Sequence, residues 1–74
     1  MAWNYRVICE GNDYTIHEVY YSESGTIESW IDEPSSPFGE SNEELISDLN
    51  GMLNALKQPV LKWSDMPMPS KVND

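Results

Sequence analysis

Ser41-Asn42-Glu43-Glu44-Leu45-Ile46-Ser47-Asp48-Leu49-Asn50-Gly51-Met52-Leu53-Asn54-Ala55-Leu56-Lys57 is the one stretch with a strong helical period. Leu45, Ile46, Leu49, Met52, Leu53 and Leu56 recur at the spacing of one face of a helix with about 3.6 residues per turn. The spacing predicts a single helix over 41–57 whose apolar stripe forms the core, with Asp48, Gly51 and Ala55 on or near the opposite face. Ser41 and Glu44 fit a capping box, in which the serine side chain accepts from the Glu44 N–H and the Glu44 carboxylate reaches back to the Ser41 N–H. Glu43 and Glu44 suit the positive end of the helix dipole, and Lys57 the negative end. Gly51 costs roughly 1 kcal/mol in mid-helix relative to alanine. Pro59 stops further helix.

Working outward, residues 3–9 and 13–21 are rich in aromatic and β-branched side chains and read as strands, as does 26–32. Gly11-Asn12 is a two-residue turn signal of the type II′ kind, and Ser22-Glu23-Ser24-Gly25 is a second turn. If Gly11-Asn12 is the loop, Cys9 faces Tyr14, Val7 faces Ile16, Tyr5 faces Glu18 and Trp3 faces Tyr20. If the second loop centres on Glu23-Ser24, Tyr20 faces Ile27, Glu18 faces Ser29 and Ile16 faces Ile31. Both turns then put Tyr5, Val7, Cys9, Tyr14, Ile16, Tyr20, Ile27 and Ile31 on one face, expected to lie under the helix stripe. A slip of one residue would reverse every side chain, so this agreement is evidence for the register.

The fold class is α+β: a three-stranded antiparallel meander packed on one helix, β-β-β-α, in two layers. The other sheet face carries Arg6, His17 and Trp30 in one cross-strand row, with Ile8, Val19, Tyr21 and Glu28 around it. In two layers that face has no cover unless the tail or another molecule supplies it. Residues 33–40 read as a loop with two prolines and a glycine. Residues 59–63 are expected either to add a short fourth strand or to lie across the sheet. One domain over 1–63 is followed by a mobile tail over 64–74, which has two prolines and no periodicity.

A chain of 74 residues is near the size at which a single core is marginal. One cysteine, Cys9, excludes an intramolecular disulfide, and no His/Cys cluster suggests structural zinc. Tight packing or association with another chain must supply the stability. The start lacks a basic segment followed by an apolar run, and no stretch has the length to cross a bilayer. A cytoplasmic protein is expected. The net charge is −9, and between Glu10 and Asp48 eleven positions carry carboxylates while none carries Lys or Arg. Such a run solvates the surface, or meets a basic partner. Four basic residues cannot neutralise many phosphates, so direct nucleic-acid binding and an anionic membrane surface are both disfavoured.

The order strand, hairpin, strand, loop, helix, with Gly39-Glu40-Ser41-Asn42-Glu43-Glu44-Leu45 opening the helix, resembles the antitoxin half of HicA/HicB pairs over about residues 4 to 57. Met1-Ala2-Trp3-Asn4-Tyr5-Arg6-Val7, Ile16-His17-Glu18-Val19-Tyr20-Tyr21 and Pro37-Phe38-Gly39-Glu40 resemble a family of small bacterial proteins. The HicB resemblance implies a β-β-β-α core and, through the fold alone, toxin binding. The sequence lacks a DNA-binding domain after the core, so operator binding is not implied.

His17 is the single histidine, and a lone histidine on a sheet is more often a packing residue than a catalyst. Arg6 and Trp30 beside it suggest a cation–π contact or a small anion site. Cys9 lies on the opposite face from His17, so no Cys–His arrangement forms. No calcium-loop spacing and no phosphate loop is present. The expectation is a non-enzymatic protein–protein interaction module without metal or cofactor. Its partner-binding residues would be Arg6, His17, Val19, Tyr21 and Trp30, engaging a protein partner or a second copy as a homodimer. The alternative is an acidic inhibitor or nucleic-acid mimic that occupies a basic toxin or nuclease.

Overall fold

The computed structural model describes residues 2–70. The chain is α+β: β1 (Ala2–Glu10), β2 (Asp13–Tyr21), β3 (Ile27–Trp30), α1 (Asn42–Ala55), β4 (Leu61–Lys62) and a 3-10 turn at Trp63–Asp65. The sheet is mixed, in the order β3-β2-β1-β4, with β4 parallel to β1 through Ile8–Leu61 and Cys9–Lys62.

The β1–β2 pairing places Cys9 opposite Tyr14, Val7 opposite Ile16 and Trp3 opposite Tyr20. Gly11 supplies the positive φ, 61°, that a two-residue hairpin needs at its first position. The second hairpin departs from its expected register. Val19 faces Trp30, Tyr20 faces Ser29 and Tyr21 faces Ile27, with a bulge between the last two pairs. Glu28 is the extra residue. It carries Ile27 across to the Tyr21 face, away from the helix side where the unbulged register had put it. The loop closes at Ser22 N–H to Thr26 O (2.8 Å), with Gly25 at φ 86°. Beyond β3 the chain stays beside β2: Ile31 N–H donates to Glu18 O (3.1 Å) and Ser35 N–H to Ile16 O (2.8 Å).

The most deeply buried cluster is Ile8, Val19 and Trp30, on the face away from the helix. Its cover is the segment that follows β4. Trp63 and Met66 pack against the cluster, Trp30 Nε1–H donates to Pro67 O (2.6 Å), and Ser70 N–H donates to Trp30 O (2.7 Å). The expected two layers are therefore corrected: the sheet has α1 on one side and residues 63–70 on the other. Residues 64–70 of the expected tail lie against the sheet, bonded to Trp30 through Pro67 and Ser70, and residues 71–74 of it lie outside the described residues. Beyond the 3-10 turn this cover has no regular structure; the chain reaches over one tryptophan and ties down at its indole and its carbonyl.

The helix is turned relative to expectation. Ser41 caps it, its side chain accepting from Glu44 N–H (3.1 Å), while Glu44 reaches back one residue further than a standard box, to Glu40 N–H (2.9 Å). Regular helix ends at Ala55, with Leu56 as cap, so Lys57 lies just beyond it. Only Met52 of the apolar stripe is buried, together with Ala55. Asp48, Gly51 and Ala55, expected to point away, instead face the sheet. Two interactions select this orientation. Tyr5 donates to Asp48, whose other oxygen accepts from Phe38 N–H (2.8 Å). The bare Cα of Gly51 meets the same Tyr5 ring, where an added Cβ would stand 3.3 Å from Cδ2. Gly39 packs closer still onto the start of α1: an added Cβ would fall on the backbone at Leu45 N.

Candidate functional site

The cross-strand row is placed on one face as its alternation requires, but it is not open. His17, Val19 and Trp30 are buried, and Arg6 and Tyr21 are half-buried. Each polar side chain in the row makes a hydrogen bond within the chain. The His17 Nδ1–H donates to Ile31 O (2.8 Å), a carbonyl that can only accept, which assigns the tautomer. Nε2 then accepts from the Thr15 hydroxyl (2.7 Å). The ring is flanked edge-on by Trp30 and Trp63 at centroid distances of 5.6 and 5.8 Å, and the two indoles meet each other at 4.7 Å. His17 and Trp30 are buried with their ring nitrogens paired, half-buried Trp63 closes over them, and no base of this cluster is exposed.

Arg6 is engaged through its two terminal nitrogens, while its buried Nε has no hydrogen-bond partner. Its Nη2 donates to Pro59 O (2.7 Å) and its Nη1 to the Tyr21 hydroxyl (3.2 Å), which donates in turn to Asn4 (2.7 Å). The guanidinium therefore braces the turn out of α1. The expected anion site at Arg6 and Trp30 does not form, because the register shift seats Trp30 opposite Val19 in place of His17. A partner would have to displace residues 63–70 to reach this row.

On the helix side, an open groove of about 590 Å³ runs between β1 and α1, bounded by Trp3, Tyr5, Phe38, Asp48, Gly51 and Gln58. Its Asp48 carboxylate is engaged on both oxygens. Burial and the hydrogen bond to Asp48 raise the Tyr5 pKa well above the ordinary tyrosine value. Tyr20, donating to Glu18 two residues along the same strand, is pushed up to about 12, first by that hydrogen bond and then by burial. Among the described residues, no group of three or more His, Cys, Asp or Glu side chains is placed to hold a metal ion, and no helix is long and apolar enough to cross a membrane.

The feature that sequence reasoning misplaced is the helix stripe itself. Ile46, Leu49, Leu53 and Leu56 are 45–62% exposed, on the side of α1 opposite Gly51. A row of four large aliphatic side chains at spacings of three and four residues is a contiguous apolar surface of the kind that marks an interaction site. Exposed Glu43 and Asn50 lie along one flank, and exposed Lys57 follows in the turn just past Ala55. The hydrophobic period had already identified these residues. It did not say which way they point.

No protein-family model matches the chain, and no characterised protein or solved structure matches it either.

Proposed function

We propose that this chain is a small acidic, non-enzymatic protein–protein interaction module acting in the cytoplasm, with a HicB-like β-β-β-α core, and that it docks through the outward face of α1. One observation carries the reading: four aliphatic side chains of the single helix stand exposed in a chain that has few to spare. A fully buried Leu or Ile contributes about 1.5–3 kcal/mol relative to an exposed one. The stripe therefore holds in reserve a few kcal/mol that only another molecule can recover. The row Arg6, His17, Val19, Tyr21 and Trp30 serves in this reading as the internal core that holds the sheet, and the docking residues become Ile46, Leu49, Leu53 and Leu56. A photo-crosslinking residue at Leu53 tests it in an extract of the source cells. Capture of a defined protein, lost on Ile46→Asp in the same chain, is expected. Failure to capture any protein, the chain itself included, removes the reading.

A second reading, the acidic inhibitor of a basic toxin or nuclease, is favoured by the carboxylate run from Glu10 to Asp48 with no cation inside it. It predicts binding that weakens steeply with salt.

A further inference from the structure

We infer that the partner on α1 is a second copy of this chain, its helix running antiparallel about a two-fold axis beside Asn50. The inference rests on the docking reading above and names the occupant. Ile46, Leu49, Leu53 and Leu56 are spaced three, four, three, and this spacing reads the same in both directions. Laid antiparallel, Ile46 meets Leu56 of the second copy and Leu49 meets Leu53, so all four rungs fill with aliphatic side chains and none faces a polar one. Gly51 lies on the far side of the helix, against Tyr5, so each copy's sheet stands clear of the seam.

The flank supplies the direction. Glu43, Asn50 and Lys57 are seven residues apart and all exposed; the first two lie on the same side of the stripe, and Lys57 follows just past the last turn. Lys57 stays close to the end of α1 although regular helix has ended, because a tightened turn follows in which its N–H donates to Asn54 O (3.0 Å). In an antiparallel pair, like flanks face each other across the seam. Glu43 then meets Lys57 of the second copy twice over, and Asn50 meets its own counterpart at the axis, where two carboxamides can exchange hydrogen bonds. A parallel pair would place Glu43 and Glu44 of both copies at one end, with both helix dipoles aligned, and would give Lys57 no carboxylate. The charge pattern thus selects one of two geometries that the apolar rungs alone would tolerate.

Two opposing terms set the strength. Four rungs cover less than the ~800 Å² per partner of a standard stable interface. Each copy also carries a charge of −9. The pair is therefore reversible with concentration, and it tightens from low to physiological salt as the net repulsion is screened, whereas a basic partner would be released.

Sedimentation equilibrium from micromolar to millimolar concentration tests this. The wild-type chain is expected to move from one to two chain masses. Leu53→Asp should remain monomeric with unchanged far-UV circular dichroism. Glu43→Lys and Lys57→Glu should each weaken association about tenfold, since exposed ion pairs become repulsive contacts, and the double exchange should restore it. Asn50→Cys in a Cys9→Ser chain should form a disulfide-linked dimer under mild oxidation. A wild-type chain that stays monomeric throughout, a dimer indifferent to Leu53→Asp, or a double exchange that fails to restore association overturns the inference. Where self-association fails but the Leu53 crosslinker still captures a different protein, the docking reading stands and only the identity of the occupant falls.

Discussion

The Tyr5 hydroxyl on β1 donates to the Asp48 carboxylate on α1, 43 positions along the chain, and this bond decides which side of the helix meets the sheet. Asp48 also holds the Phe38 N–H, so one side chain anchors both the strand and the incoming loop. Tyr5→Phe leaves the ring against Gly51 but removes the donor. A hydrogen bond to a charged group is worth about 1.5–3 kcal/mol, and solvent access lowers that here. Urea unfolding should show a loss of about 1 kcal/mol for Tyr5→Phe. Asp48→Ala should lose more, because Phe38 N–H is released too.

The same tyrosines set an alkaline limit. For Tyr5 and Tyr20 the folded-state pKa lies above the unfolded value of 10.0. The stability they confer is thus fully present below pH 10 and is lost as pH rises through the folded values, from about 10 to about 12 for Tyr20. Denaturant midpoints should fall across that window. Tyr20→Phe should flatten the fall, and tyrosinate absorbance should lag behind that of the unfolded chain.

The stripe and the buried helix positions should respond oppositely to truncation. In dilute monomer, Leu53→Ala should change stability by less than about 0.5 kcal/mol, as exposed sites do. Met52→Ala, one residue away but buried, should cost about 2 kcal/mol or more. Equal losses measured by urea titration would mean that the helix faces the other way.

Glycine substitutions separate helix propensity from packing. Gly51→Ala gains about 1 kcal/mol of propensity but presses a methyl onto Tyr5 at 3.3 Å. Its midpoint should stay close to that of wild type. Gly39→Ala has no such compensation, since its Cβ would fall on the backbone of Leu45, and it should destabilise strongly.

Removing the cover should unfold the protein. Trp63→Ala strips one wall from Trp30 and His17 and should cost about 3–5 kcal/mol, a large share of the roughly 5–15 kcal/mol that a domain possesses. A chain ending at Lys62 should show no cooperative thermal transition. A mobile tail would predict no change in either case.

These outcomes also mark how far the residues alone could lead. The first hairpin register was legible because Gly11-Asn12 admits one tight turn and the alternation on both strands agrees with it. The second was not, since the bulge at Glu28 leaves no mark in composition. The helix was legible in its period, but periodicity locates an apolar stripe without saying what lies against it. Tyr5, Asp48 and Gly51 decide that, from positions far apart in sequence. The row Arg6, His17, Val19, Tyr21 and Trp30 was correctly grouped on one face. Its cover was hidden because residues 63–70 act through two anchoring bonds and a tryptophan, which carry no repeat to detect.

The edge-to-face contact between Trp30 and Trp63, with His17 against both, also furnishes an intrinsic optical probe. Two indoles held at 4.7 Å in a chiral setting should couple electronically and give strong near-ultraviolet dichroism. Half-exposed Trp3, edge-on to Tyr5 at 5.2 Å on the helix side, contributes separately from this pair. Opening of the closing segment alone would erase that band while the amide signal of the sheet and helix persisted. Closure can thus be followed, without any added dye, apart from global unfolding.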